Sequence, residues 1–314
     1  MRKIISGLFF RAVRSIEFWL IFAVAGLYLF FFYRNNKDAL FSYDERIYSD
    51  LRILVTVMPL LLITIFTTIF FGRLFSDHTI RNLIASGHSK KTTYITSALF
   101  SVITTTLLDT AVITPIIVCM KITKWENRIG WPTIICILAT SYLIHLVFTM
   151  MILMIIYLTG KQIITLVAGM LIFAAIIGGV SAAPLYALMQ PERMIEASLI
   201  SKYRDLHPDS EITMDWEIDL TDMEDNITVY ENGEVMDMSK ISRPNPRHIT
   251  GMKRHILKAI LLYNPAPSIM MELAYPPKDL YEQGAYRIFF ISEGVWALIF
   301  AAAGTILFNR KELN

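Results

Sequence analysis

Residues 131–160 read WPTIICILATSYLIHLVFTMMILMIIYLTG, and after Lys161 residues 162–190 read QIITLVAGMLIFAAIIGGVSAAPLYALMQ. In these 60 residues the only side chains that carry charge near neutral pH are His145 and Lys161. The hydrocarbon core of a bilayer is about 30 Å thick and takes roughly 20 apolar residues as helix. Each run is therefore long enough to cross it, and Lys161 marks the turn between them. Working outward, four further runs qualify: Phe18–Tyr33, Ile53–Gly72, Thr92–Met120 and Ile288–Asn309. The first is short and extends by snorkelling of Glu17 and Arg34. Six such runs exceed what a soluble core can cover.

Composition agrees. Of 314 residues, 54% are hydrophobic and 18% charged, against about 25% charged in soluble domains; mean hydropathy is +0.49. A net charge of +2 gives no reason to expect a nucleic-acid partner. Cys119 and Cys136 both lie inside apolar runs, which supports neither a disulfide framework nor a zinc site. No cleavable signal peptide is expected, because the first apolar run lacks a small-residue cleavage pattern and further spans follow.

Lysine and arginine in short loops set orientation. Arg2, Lys3, Arg11 and Arg14 precede the first span, Arg73, Arg81, Lys90 and Lys91 follow the second, Lys161 joins the fourth to the fifth, and Arg310 and Lys311 follow the sixth. Six spans put all of these on one side, assigned to the cytoplasm of a bacterial cell membrane, with both termini. Loops 34–52 and 121–130 fall outside. In 1–15, Ile4, Ile5, Leu8, Phe9, Ala12 and Val13 form one helical stripe among basic residues, which predicts an amphipathic helix in the membrane interface.

Residues 191–287 are too polar for the bilayer and form an external insert. From Asp205 to Ser239 there are 12 carboxylates and no basic side chain but His207. Glu211–Leu220 alternates as a strand does, with Ile212, Met214, Trp216, Ile218 and Leu220 on one face. Ile227–Tyr230 and Val235–Met238 flank Asn232-Gly233, a hairpin signal. The acidic run lacks a calcium-loop spacing and reads as a solvated face. His248–Tyr263 reads as a helix. Asn264-Pro265-Ala266-Pro267 breaks it, and Ser268 is positioned to cap a second short helix, Ile269–Ala274. Two such helices before the last span are placed to cover the mouth of a pathway. The fold class is all-α polytopic membrane protein with six transmembrane helices, an interfacial N-terminal helix (1–15), spans one to five within 16–190, a small α+β insert at 191–287, and the sixth span and tail at 288–314.

No phosphate-binding loop, hydrolase elbow or metalloprotease motif occurs. Gly87-His88-Ser89-Lys90-Lys91-Thr92 lacks the two-glycine frame that cradles phosphate. Asp109, His145 and Glu293 are ionisable groups inside spans, where charge is costly and invites a functional reading. On three helices they suit a proton relay or intramembrane hydrolase, or equally polar contacts between helices. Span five carries Ala168, Gly169, Ala174, Ala175, Gly178, Gly179, Ser181, Ala182 and Ala183, which permit close helix approach in a bundle or dimer.

The segment between spans two and three speaks most clearly: Phe71-Gly72-Arg73-Leu74-Phe75-Ser76-Asp77-His78-Thr79-Ile80-Arg81-Asn82-Leu83-Ile84-Ala85-Ser86-Gly87-His88-Ser89-Lys90-Lys91. Ser76 or Asp77 can cap a short helix and Gly87 can end it. Thr79, Arg81 and Asn82 offer hydrogen bonds to a partner, while Ile80, Leu83 and Ile84 can fill an apolar cleft. His78-Thr79-Ile80-Arg81-Asn82 followed by Gly87-His88-Ser89-Lys90 resembles the coupling helix of ABC-2 type transporter permeases, with His78 where glycine is frequent. The span layout, the interfacial helix, the short helices before span six and Phe308-Asn309-Arg310-Lys311-Glu312-Leu313 are also similar to that family; the acidic insert 205–240 departs from it. The resemblance implies an exporter subunit working by alternating access, with a separate ATP-binding cassette ATPase docked on residues 76–90. ATP and magnesium belong to that ATPase, and this chain needs no cofactor and performs no covalent chemistry. Further partners implied are a second permease chain, the same or different, and membrane lipids. The implied substrate is an amphipathic or antimicrobial peptide, with a lipid or drug as alternative. A membrane enzyme or ligand sensor using Asp109, His145 and Glu293 is the competing class.

Overall fold

The computed structural model describes residues 1–42, 46–123, 130–208, 210–219, 224–275 and 277–312. The chain forms two compact units, one of residues 1–177 and 264–314, the other of residues 178–263.

The first unit is helical. It comprises α1 (Arg2–Arg14), α2 (Ile16–Ser42), α3 (Arg46–Ser76), α4 (Thr79–Ala85), α5 (Lys90–Thr123), α6 (Trp131–Thr159) and α7 (Gln162–Ala174). After the second unit the chain returns as α11 (Pro267–Ala274), α12 (Pro277–Glu282) and α13 (Ala285–Arg310). Five described helices are long and apolar enough to cross a membrane: Val55–Ser76, Lys90–Val118, Trp131–Thr159, Gln162–Leu188 and Ala285–Arg310. The expected first span passes that test only together with α1, which meets Ile16–Phe31 at a 62° bend. The whole helix α2, 27 residues, rises about 40 Å. The bend agrees with an N-terminal helix distinct from the span. The expected loop 34–52 is mostly helix in the structure, since α2 runs to Ser42 and α3 begins at Arg46. Polar straight-chain residues such as Lys37 continue a helix as well as apolar ones do.

The bundle is centred on α3 and α6, whose most apolar windows are 72% and 61% buried, against 17% in α13. α6 packs along α13, α3 and α5. Two glycines set the approach of helices. A methyl group on Gly304 of α13 would lie 1.9 Å from the Tyr94 hydroxyl of α5, and one on Gly169 of α7 would lie 2.3 Å from Ile152 of α6. The packing expected of the small residues in span five is thus seen at Gly169. At Gly178 and Gly179, inside a π-helical stretch, Ala175–Ala182, nothing lies within 4 Å. At the α4 end of the bundle, Tyr94, Tyr157, Phe71, Phe100 and Phe308 are fully buried, with Phe308 edge-on to Tyr157 at 4.7 Å.

The second unit opens with the end of span five, α8 (Ala183–Leu188), followed by β1 (Arg193–Ile195), α9 (Ala197–Leu206), β2 (Ile212–Asp219), β3 (Glu224–Glu231), β4 (Glu234–Val235), β5 (Ser242–Pro244) and α10 (Gly251–Leu262). β2, β3 and β4 form an antiparallel sheet, and β1 pairs with β5. The expected hairpin turns at Asn232 (φ 52°) and Gly233 (φ 85°), both left-handed, as a two-residue turn of primed type requires. Leu220 lies outside the described residues, as do the side chains of Trp216 and Ile218, so their shared face falls outside the description. Tyr203, Val229, Met236 and Ile241 make the core of this unit.

The boundary of the insert differs from expectation. The chain leaves the second unit after Tyr263, not near residue 287. Ala266 and Ile269 are buried with Leu60, Ile144 and Phe148 in the bundle core, because this stretch is apolar despite its four prolines. Ser268 does not cap α11, which starts at Pro267; its hydroxyl is used elsewhere.

Candidate functional site

Two regions carry the residues singled out from sequence: the α3–α4–α5 turn, and polar groups buried between the spans.

The helix α3 runs through Ser76, so neither Ser76 nor Asp77 caps α4. The reversal is made by His78, held left-handed at φ 56°, a conformation that glycine adopts most readily. The end of α4 matches expectation. Gly87 (φ 96°) donates its N–H to Ile84 O at 3.0 Å, and His88 donates to Leu83 O at 3.2 Å, the paired bonds of a glycine-terminated helix. Ser89 then caps α5, its Oγ accepting the Thr92 N–H at 3.0 Å.

Ile80 belongs to the chain itself. It is completely buried in the bundle core, with Leu83 and Ile84 half-buried against it, so Ile80 is not available to a partner's cleft. A seven-residue helix is too short to hold itself, and this anchor fixes it. Arg11 of α1 donates to Thr79 Oγ1 at 2.7 Å, and Arg73 pairs with Glu17 at 2.5 Å. Sequence reading missed both links, since their members lie far apart in the chain. The exposed groups are Ser76, Asp77, His78, Arg81, Asn82, Ala85, Ser86 and Gly87. Beside them, Lys90 donates to the Lys311 carbonyl, and Lys311 Nζ donates to Tyr157 O at 3.2 Å. Burial, and then the charge of Arg81, lower the Lys311 ammonium below the ordinary lysine value. Exposed Arg81 and Lys91, with half-buried Lys90, outweigh exposed Asp77 here.

In the bundle, Asp109 and His145 come together and Glu293 does not join them. His145 Nδ1 lies 2.8 Å from Asp109 Oδ1, though off the line of a good hydrogen bond, and Nε2 lies 2.8 Å from the Thr56 carbonyl. Both ring nitrogens thus face oxygen atoms of neighbouring helices. Among the described residues Asp109 Oδ2 has no hydrogen-bond partner. Ser141 and Thr149, four residues either side of His145 on α6, extend the polar seam: Ser141 bonds Thr56 Oγ1 at 2.8 Å, and Thr149 bonds Thr105 at 3.1 Å.

Glu293 is fully buried, with Oε1 accepting from Ser268 at 2.6 Å and Oε2 without a hydrogen-bond partner. Its acidic neighbour is Glu272 of α11, which accepts from Thr140 of α6 at 3.0 Å. Thr140 also lies 2.9 Å from Cys136 O, so its one hydrogen has more than one acceptor. Thr140 is nine residues, about 14 Å, from the start of α6, and Glu293 eight residues, about 12 Å, from the start of α13. The helix α11 is therefore packed among α3, α6 and α13, with its polar groups turned to theirs. Glu272 was missed because it stands among insert residues whose polarity reads as external; the four prolines bracketing α11 were the available signal.

Compared with protein-family models, with characterised proteins and with solved structures, the chain has no match. Among the described residues no group of three or more His, Cys, Asp or Glu side chains is arranged to hold a metal ion.

Proposed function

We propose that the chain is the membrane-spanning subunit of an ATP-driven exporter of the ABC-2 type, with the α4 end of the bundle in the cytoplasm and residues 178–263 outside. The observation that carries the reading is α4 itself: a short helix pinned by Ile80, with Arg81, Asn82 and Ser86 turned to water, between two helices apolar enough to span. Such a helix transmits force only if a partner grips its polar face. A separate ATP-binding cassette ATPase fits, and its closure on ATP would push α4 and, through Arg11 and Arg73, the start of the chain. A second permease chain completes the assembly. The cargo we favour is an amphipathic peptide, with a lipid or drug next.

The test is a search for an ATP-binding cassette ATPase encoded beside this gene and co-purification with it, followed by ATP hydrolysis and substrate efflux in vesicles. Arg81→Glu with Asn82→Ala should abolish capture or uncouple hydrolysis while leaving thermal stability unchanged, since both side chains are exposed. Capture and transport at the parent's level would remove the coupling role from α4. The lack of any adjoining ATPase gene or co-purifying ATPase would remove the exporter reading.

A further inference from the structure

Within the second unit, α10 packs against α8. Since α8 is the last part of the apolar run Gln162–Leu188, α10 lies at the level where a span leaves the bilayer. Its inward side is held by Leu261, which is fully buried, with Leu257 half-buried. Its other side is apolar as well. Met252 is 73% exposed, Ile256 52%, Ile260 41% and Tyr263 60%. Their spacing of four, four and three residues keeps them on one stripe of the helix. Tyr186 of α8 is also exposed, and tyrosines are enriched at the membrane–water boundary.

Charge is segregated along the unit. Residues 205–237 hold 12 carboxylates, whereas from Met238 to Met271 there is no acidic residue and there are six lysines and arginines: Lys240, Arg243, Arg247, Lys253, Arg254 and Lys258. Half of these stand on α10. An exposed apolar stripe flanked by exposed Lys253, on a helix beside the end of a span, is complementary to a phospholipid surface: acyl chains for the stripe, a phosphate for the ammonium.

We propose that α10 is an interfacial helix seated in the leaflet where the run Gln162–Leu188 ends, with Met252, Ile256, Ile260 and Tyr263 at the acyl boundary and Lys253 at the phosphate level. A lysine's long stem reaches from an apolar stripe to the headgroups. The inference does not depend on what the protein transports or which ATPase it binds.

The test uses the full chain with Cys119→Ser and Cys136→Ser, reconstituted in phosphatidylcholine–phosphatidylglycerol nanodiscs. Spin labels are placed singly at Met252→Cys, Ile256→Cys and Ile260→Cys, with Asn232→Cys on the β3–β4 turn as the water-exposed reference. Collision with dissolved oxygen, which concentrates in lipid, is compared with collision with a water-soluble nickel chelate. The expected result is an oxygen-to-nickel ratio severalfold higher at 252, 256 and 260 than at 232. A ratio at all three sites equal to that at 232 would put α10 in water and overturn the proposal. Labels shielded from both reagents, or dipolar broadening between copies, would show the stripe covered by protein and overturn it as well. If one cysteine variant fails to fold, the other two sites decide.

Discussion

Consider Ile80→Ala. Ile80 is the one fully buried residue of α4. Truncating a buried isoleucine to alanine costs about 2–5 kcal/mol, and a helix of seven residues has little stability of its own to set against it. The remaining ties are the Arg11–Thr79 hydrogen bond, worth about 1 kcal/mol, and half-buried Leu83 and Ile84. At 1.4 kcal/mol per tenfold, even the low end of that range raises the open population of α4 roughly 30-fold. The spans should be unaffected, because Ile80 lies at the end of the core and no transmembrane hydrogen bond passes through it. The assay is amide hydrogen exchange by mass spectrometry, backed by limited trypsin cleavage at Arg81. Peptides covering 79–88 should exchange at least tenfold faster while those from α3 and α6 keep the parent rate. Equal exchange in 79–88 would refute the claim that burial of Ile80 holds the helix, and exchange spreading through α3 would refute the claim that α4 opens alone.

Glu293→Gln should unfold no earlier than the parent on heating in detergent, because the amide replaces a buried oxygen that lacks a partner. Glu293→Ala should lose about 1–3 kcal/mol by stranding the Ser268 hydroxyl, and equal loss in both variants would count against this account. His145→Ala should destabilise by about 3–5 kcal/mol by leaving Asp109 alone in the bundle, and Asp109→Leu with His145→Leu should recover most of it; additive losses would refute the pairing. In the second unit, hydrogen bonds from Ser210 and then Tyr203 hold the Glu231 carboxyl below its usual range. A depressed acid stabilises the fold above its unfolded-state value and stops doing so as pH falls through the folded one. The unit should therefore loosen at acid pH. Ser210→Ala should weaken that acid dependence, seen as exchange of β2 and β3 amides; an unchanged profile would show that Glu231 is not responsible.

Much of the architecture was legible because bilayer-length apolar runs and the Asn232-Gly233 turn are local signals. The end of α4 at Gly87 was equally local. What stayed hidden depends on tertiary contact. Ile80 looks like a docking residue because its neighbours Arg81 and Asn82 are polar; only the fold shows that it points into its own core. Asp109 and His145 stand 36 residues apart on separate helices, and no spacing rule joins them. Glu293 was grouped with them on the ground of buried charge alone, whereas α11 brings it Glu272 and Ser268. The resemblance supplied the idea of a coupling helix but gave no indication of the His78 reversal or the Arg11 tie.

The two ends of the bundle are packed in different ways. At one end the rings of Tyr94, Tyr157 and Phe308 rest on one another. At the other, α11 is wedged between α3, α6 and α13 and sets its Glu272 beside Glu293 of α13. Ser268 of α11 donates to Glu293 of α13 and Thr140 of α6 donates to Glu272 of α11, so any displacement of α11 must break both bonds and strand two carboxylates in an apolar interior.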